Sequence, residues 1–568
     1  MKVFSGLPVS IGYAIGPALV LKKDSLVLSD KKNINADEEL QLFISAAEKS
    51  RRDLENIKKK SLSDGRRESA EIIDAHLMLL DDPEVDEQTR QNILQGTSAE
   101  QAYFSVIETF RQMFLGLKED YMKQRALDLH DIRQRVIFYM QNPKQQYPDL
   151  NLQEPVVVVA LDLTPSQILS MDRKYLLGFA TVEGGNTSHV AILARSLEIP
   201  SLAAVSLEVL NIKNGEEILL NAEKGQLLIE TKTDERKNFL QEQANYNLKI
   251  QSFAKLRGQE TKTADGFEIT LAANISGPQD LNSFIKNDAE AVGLYRTEFL
   301  FLDRTQAPTE EEQYAIYREV FQGLKGRRVL VRTLDIGGDK VADYLQMKSE
   351  ENPFLGVRAL RLCFQRPEIF KTQLRALLRA GSDANWGLMF PMVSQLEELL
   401  QAKAILEEVK TELKSEGVSF SHKYEIGIMV EIPSVAWMID VFAPHVDFVS
   451  LGTNDLLQYT CAADRLNPEL KSIYNPFNLG FLRQVHHVIK TCRENKIHVG
   501  ICGSLSHHPL LMPFFVGCGV EELSMTSQHV LPTREAIRKL SFERCQRLVK
   551  KALSSTSIAQ IQEICKDL

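Results

Sequence analysis

Cysteine is scarce in this chain of 568 residues, with seven in all and none in a CxxC pair. An odd number at scattered positions (Cys363, Cys461, Cys492, Cys502, Cys518, Cys545 and Cys565) argues against a disulfide scaffold or a thiolate zinc site. It predicts a reduced, cytoplasmic protein. Aromatic residues make up only 7% of the chain, and no base-stacking platform is visible. Positive charge is not in excess either: a net charge of −9 and a pI near 5.8 argue against a nucleic-acid polyanion as the main ligand. Long apolar runs are missing. Residues 9–21 are fairly apolar and follow Lys2, but Gly12, Gly16 and Pro17 interrupt them and Lys22-Lys23-Asp24 ends them. That segment predicts opening strands rather than a signal peptide, and no other run is long enough to span a bilayer. Repeats and low-complexity tracts are also absent.

What is present is enough apolar material, 44% of the residues, for several cores, and the length suggests about three or four domains. Residues 1–21 read as strand and turn. From about 35 to 143 the chain becomes charged and helical, with Leu40, Phe43 and Ala47, then Ile72, Ile73, His76, Leu77 and Leu80, at helical spacing. Strands and helices alternate from 145 to 230, through 156–160, 192–197 and 217–220. The boundaries that follow are an α/β domain from 1–21 and 144–230, a helical subdomain inserted at 22–143, and a polar helical linker at 231–262. After 263 eight apolar strand candidates alternate with helices: 268–275, 292–297, 329–334, 388–392, 427–432, 448–453, 498–502 and 522–525. Eight such units in about 300 residues predict a (β/α)8 barrel over 263–568, with a doubly wound sheet as the alternative.

Two stretches carry chemistry. In Gly184-Gly185-Asn186-Thr187-Ser188-His189, the glycines permit a tight turn and Thr187 or Ser188 can cap a helix that begins beside His189 and runs on through Arg195. Orphan N–H groups and the dipole at such a terminus favour an anion, so His189 is a candidate for carrying a phosphoryl group. In the barrel the polar residues fall at strand ends: Arg296, Arg332, Glu431, Asn454, Asp455 and Cys502. Two converging guanidiniums would clamp a phosphate. Two carboxylates without a His/Cys set suit Mg²⁺ rather than zinc.

The pattern G-G-x-T-S-H-x-A-I-x-A-R, together with Gly452-Thr453-Asn454-Asp455-Leu456-Leu457-Gln458-Tyr459-Thr460 and Asp464-Arg465, resembles the phosphoenolpyruvate-utilising enzymes over nearly the whole chain. Within them it is most similar to the enzyme I group of the sugar phosphotransferase system, the phosphoenolpyruvate–protein phosphotransferases. The resemblance implies a swivelling phosphohistidine domain, a helical docking subdomain for the small phosphocarrier HPr, and a phosphoenolpyruvate-binding TIM barrel that forms homodimers. It implies His189 as the nucleophile, supported by Thr187 and Arg195. It implies Arg296 and Arg332 on the phosphoryl group, Arg358 on the enolate oxygen, Asn454 and Arg465 orienting the substrate, Glu431 and Asp455 holding Mg²⁺, and Cys502 as proton donor.

Some residues depart from the family pattern. Asn186 and Val190 replace more usual residues beside His189, and Cys461 replaces an aliphatic. Arg66-Arg67-Glu68 stands where relatives present acidic residues to the carrier. Cys502-Gly503-Ser504 stands where Cys-Gly-Glu is usual, which predicts slower proton transfer; His507 and His508 beyond it read as surface loop histidines. About 180 residues precede His189, without a nucleotide-binding glycine loop, which sets the chain apart from the ATP-using members. A sensor that keeps the fold without efficient transfer is the alternative, opposed by the retained His189, Glu431, Asp455 and Cys502.

Overall fold

The run Val156–Ala160 is four valines and an alanine, all buried, as befits a strand covered on both faces. It lies in an eight-stranded sheet made from both ends of the amino-terminal region. The strands are β1 (Lys2–Ser5), β2 (Leu7–Ser10), β3 (Tyr13–Leu21), β4 (Val156–Ala160), β5 (Leu176–Thr181), β6 (Ser201–Ala203), β7 (Glu217–Asn221) and β8 (Gln226–Ile229), in the order β1-β8-β7-β3-β4-β5-β6-β2. The computed structural model describes residues 1–21, 28, 34–63, 67–116, 120–145, 147, 152–185, 189–302, 304, 306–338, 342–348 and 350–566. Contacts divide the chain into two compact units, 1–249 and 250–568.

In the first unit β3 and β4 pair in parallel, Ala18 opposite Val157, although more than a hundred residues separate them. The described residues of that intervening chain form α1 (Ala36–Ser63), α2 (Arg67–Leu80), α3 (Pro83–Leu94), α4 (Ala99–Gly116) and α5 (Asp120–Gln141), a helical insertion between neighbouring strands. Its core centres on Phe43, Tyr103, Ile107, Ile132 and Val136. His76 packs here, as its spacing predicts, but as a buried charge site. It is fully buried on α2, with Nε2 3.1 Å from Asp128 and Nδ1 3.6 Å from Asp131 of α5. Burial opposes charge on the imidazole, but the two aspartates outweigh it and raise its pKa. Asp131 also accepts from the Ser166 hydroxyl at 3.0 Å, and Arg135 donates to the same hydroxyl at 3.1 Å. The helical insertion is thereby tied to α6 (Pro165–Ser170), which a Thr164–Gln167 capping box opens. Farther along the chain follow α7 (His189–Ser196) and α8 (Thr233–Ala254). Tyr13 packs edge-on against Phe239 of α8, with Tyr246 tilted beside it.

The second unit is a closed, all-parallel eight-stranded barrel, which resolves the alternative of an open sheet. Its strands are β9 (Thr270–Ile275), β10 (Ala291–Arg296), β11 (Val329–Arg332), β12 (Trp386–Phe390), β13 (Glu425–Val430), β14 (Phe448–Leu451), β15 (His498–Ile501) and β16 (Glu522–Met525), with β16 pairing back onto β9. Helices between the strands bury the outer side chains in one continuous core. A separate cluster of Leu294, Leu330, Met389, Met429, Phe448 and Cys502 fills the barrel's interior. At the amino-terminal pole Arg328 bridges Glu425 and Glu522. The opposite pole is where this fold places its chemistry.

Candidate active site

After β5 the chain turns through Gly184, at φ +101°, and re-enters helix at His189, the first residue of α7. Ala191 and Ala194 bury one face of α7 against the sheet, while Leu193 packs with Leu54 and Ile57 of α1, Ile73 of α2 and Leu169 of α6. Arg195 lies in its last turn, half-buried, where desolvation lowers its pKa. A cavity of about 120 Å³ adjoins the start of α7, lined by Asp128, His130, Asp162, Thr164, Gly184 and Val190 among others. Thr187, Asn186 and Ser188 lie outside the described residues, as does Arg66 of the docking segment.

The barrel mouth brings the second group of residues together. Arg296 and Arg332 are the last residues of β10 and β11, Glu431 and Cys502 directly follow β13 and β15, and Asn454 and Asp455 open the helix Thr453–Cys461 after β14. Arg332 is buried and committed at both ends: one nitrogen donates to Glu298 at 2.7 Å and the other lies 2.9 Å from Asp335. Burial works against its charge, yet Asp335 and Glu298 more than offset this and raise its pKa. For Arg296, burial and then repulsion from Arg332 outweigh the attraction of Glu298 and Asp335 and push its pKa down. Arg358 donates to both oxygens of Asp335 at 3.0 and 3.2 Å and reaches Asp455 and Tyr459, each at 3.3 Å. Gly337, at φ +117°, lets the chain pass so close to Arg358 that a Cβ there would collide with it. Asp455 also meets Arg465 at 3.3 Å.

Glu431 is fully buried and holds only half of its carboxylate in hydrogen bonds. Oε1 accepts from the Met392 amide at 2.6 Å, while Oε2 has no hydrogen-bond partner among the described residues. Burial, then repulsion from Asp455 and Asp335, pushes its pKa up to about 8. Four guanidiniums thus face four carboxylates (Glu298, Asp335, Glu431 and Asp455), and the last two are the pair that a hard, oxygen-seeking dication would fit. The buried, unpartnered Oε2 is the specific feature such a cation would satisfy. Cys502 is buried with its Sγ 3.6 Å from the Leu451 carbonyl, and burial pushes the thiol up to about 11, so it holds its proton at neutral pH.

Sequence reasoning missed Glu298 and Asp335, although they lie only two residues after Arg296 and three after Arg332. The available signal was physical: two guanidiniums at buried strand ends require counter-charges nearby. It also read His507 and His508 as surface loop residues. Both are instead half-buried, because the turn Ser504–His507 packs on the turn Ser527–His529. His507 stacks on His529 with ring centroids 4.0 Å apart, and His508 packs edge-on against Phe477. Burial, then His529 and His508, pushes the pKa of His507 down to about 4, so the stack is neutral near pH 7.

Three family models match in chain order: PEP-utilising enzyme, N-terminal, over residues 5–125; PEP-utilising enzyme, mobile domain, over 152–225; and PEP-utilising enzyme, PEP-binding domain, over 251–542. The chain therefore belongs to the PEP-utilising enzymes. It is 40% identical over 568 residues to a phosphoenolpyruvate-protein phosphotransferase from Bacillus sp. (strain S), covering 100% of this chain and 98% of that one. It is 40% identical over 571 residues to one from Bacillus subtilis (strain 168), covering 100% of both. Among solved structures it is similar to an NMR solution structure of an enzyme I protein, at 34% identity over 43% of this chain and 99% of that one, with a TM-score of 0.38. Within its family the chain falls with the phosphoenolpyruvate-protein phosphotransferases, and it is a phosphotransferase.

Proposed function

We propose that the protein takes the phosphoryl group of phosphoenolpyruvate onto His189, releases pyruvate, and passes the group to the phosphocarrier HPr. The observation that carries this reading is the meeting of phosphate-type arginines, a carboxylate pair and a protonated thiol at the carboxyl pole of the barrel. Arg296 binds the phosphoryl oxygens as the less neutralised cation, and Arg332, held rigid by Glu298 and Asp335, stands beside it. Arg358 faces the enolate oxygen, and Asn454 and Arg465 position the carboxylate. Glu431 and Asp455 would hold Mg²⁺, which when bound supplies positive charge beside the oxygens of the substrate.

A neutral ring nitrogen of His189 attacks phosphorus in line, and the bond from phosphorus to the enol oxygen breaks. The enolate carbon then takes the proton of Cys502, giving pyruvate, and the thiolate is reprotonated from solvent. Thr187 and Arg195 support the charged phosphohistidine. Residues 1–21 and 144–230 form the phosphohistidine domain, 22–143 docks HPr, 231–262 links the two parts so that His189 can visit barrel and carrier in turn, and 263–568 binds substrate and dimerises. The reaction belongs to the cytoplasm. Pyruvate released from phosphoenolpyruvate in the presence of Mg²⁺ and HPr, in step with phosphorylation of HPr, is the expected result. Pyruvate release without carrier labelling would overturn the assignment of HPr, and neither event would overturn the whole reading.

A further inference from the structure

The loop that carries Cys502 does more than present a thiol. Gly503 lies so close to the helix Thr453–Cys461 that a Cβ would collide with the Thr453 hydroxyl, so two successive loops of the barrel mouth are packed directly against each other. At that seam the Ser504 hydroxyl donates to Oδ1 of Asn454 at 2.7 Å. The backbone carbonyl of Asn454 accepts from the Tyr474 hydroxyl at 3.2 Å. Both oxygens of Asn454 are therefore engaged, and among the described residues its Nδ2 has no partner. The loop itself is held from the other side. Asn274 donates to the Cys502 carbonyl at 3.1 Å, the Ser524 hydroxyl donates to Asn274 at 2.6 Å, and the Ser506 hydroxyl donates to the Ser524 carbonyl at 2.8 Å. Ser504 thus sits on a fixed support and points its one polar group at Asn454.

A primary amide carries a donor end and an acceptor end, and only the donor end can bind an anion. An unrestrained asparagine at the mouth would rotate about its last bond and turn its carbonyl toward the substrate part of the time. The geometry points to Ser504 as a positioning residue that holds the Asn454 amide by its oxygen and keeps Nδ2 turned toward the carboxylate or phosphoryl oxygens of the substrate. This rests on the proposed function and extends it: the ordering of the substrate-binding amide is built into the same loop as the proton donor, so the two arrive in register.

The test is single-turnover pyruvate release by the full-length protein with Mg²⁺, titrated with phosphoenolpyruvate, for wild type, Ser504→Ala, Ser504→Thr, Asn454→Ala and the Ser504→Ala/Asn454→Ala pair. Loss of one orienting hydrogen bond raises the half-saturating phosphoenolpyruvate concentration of Ser504→Ala by about three- to ten-fold with little change in maximal rate. Ser504→Thr, which keeps the hydroxyl, returns to within about two-fold of wild type, and Ser504→Ala adds nothing once Asn454 is alanine. An active wild type with an unchanged Ser504→Ala, a loss in maximal rate alone, or an undiminished effect on the Asn454→Ala background would overturn the inference and leave the proposed function standing. No pyruvate from the wild type would overturn both.

Discussion

Glu431→Gln separates the cost of the barrel mouth from its use. Glu431 is buried beside Asp455 and Asp335, and its pKa rises from 4.5 to about 8. Between those values the folded protein keeps a proton that the unfolded chain has released, so in the absence of a cation the stability falls as pH rises across this window. At about 1.4 kcal/mol per pH unit the full effect above pH 8 is ~5 kcal/mol, an upper bound. Glutamine cannot ionise, can still accept from the Met392 amide, and offers N–H groups where Oε2 had no partner. With EDTA at pH 8 the variant is therefore more stable than wild type by ~3–5 kcal/mol, and near pH 5 the two agree. Added Mg²⁺ stabilises wild type and leaves the variant unmoved. Urea unfolding followed by tryptophan fluorescence reads this directly, because both tryptophans, Trp386 and Trp437, belong to the barrel unit. A metal-free wild type as stable at pH 8 as Glu431→Gln would refute the reasoning.

Three further expectations rest on the same structure. Cys502→Ala leaves phosphoenolpyruvate binding near wild type and slows pyruvate release at least ten-fold, measured by calorimetry and rapid quench; an unaltered release rate would assign the proton to another group. Gly503→Ala forces the two packed loops apart and costs ~1–3 kcal/mol in barrel stability by urea titration, whereas a neutral result would mean that the seam is slack. His76→Leu strips the counter-charge from Asp128 and Asp131 and costs the helical insertion ~3–5 kcal/mol. Because the folded pKa of His76 is raised, its contribution in wild type is complete below about pH 6.5 and is lost as pH climbs through the raised value. Hydrogen exchange across α2 and α5 as a function of pH checks the sign.

The barrel was legible because its strands are short apolar runs whose spacing repeats. Closure is less visible, since β16 finds β9 through pairing that no local pattern encodes. Placing the long helical insertion between β3 and β4 required only that a strand precede it and another follow. The counter-charges Glu298 and Asp335 escaped notice because a sequence shows which side chains are charged but not which of them are desolvated together. For the same reason the stacking of His507 on His529 could not be read. Those residues come from different loops, and only the packing of the two turns brings their rings together. Ser504 was noticed as a departure, while its hydrogen bond to Asn454 became visible only once two loops 50 residues apart were seen side by side.

The central claim is that His189 becomes the phosphoryl carrier, and intact mass spectrometry after incubation with phosphoenolpyruvate and Mg²⁺ tests it most directly. The account predicts one acid-labile phosphoryl group on wild type, none on His189→Ala, and its disappearance when HPr is added. A wild type that binds phosphoenolpyruvate without gaining mass, or a His189→Ala protein that is still labelled, would contradict it.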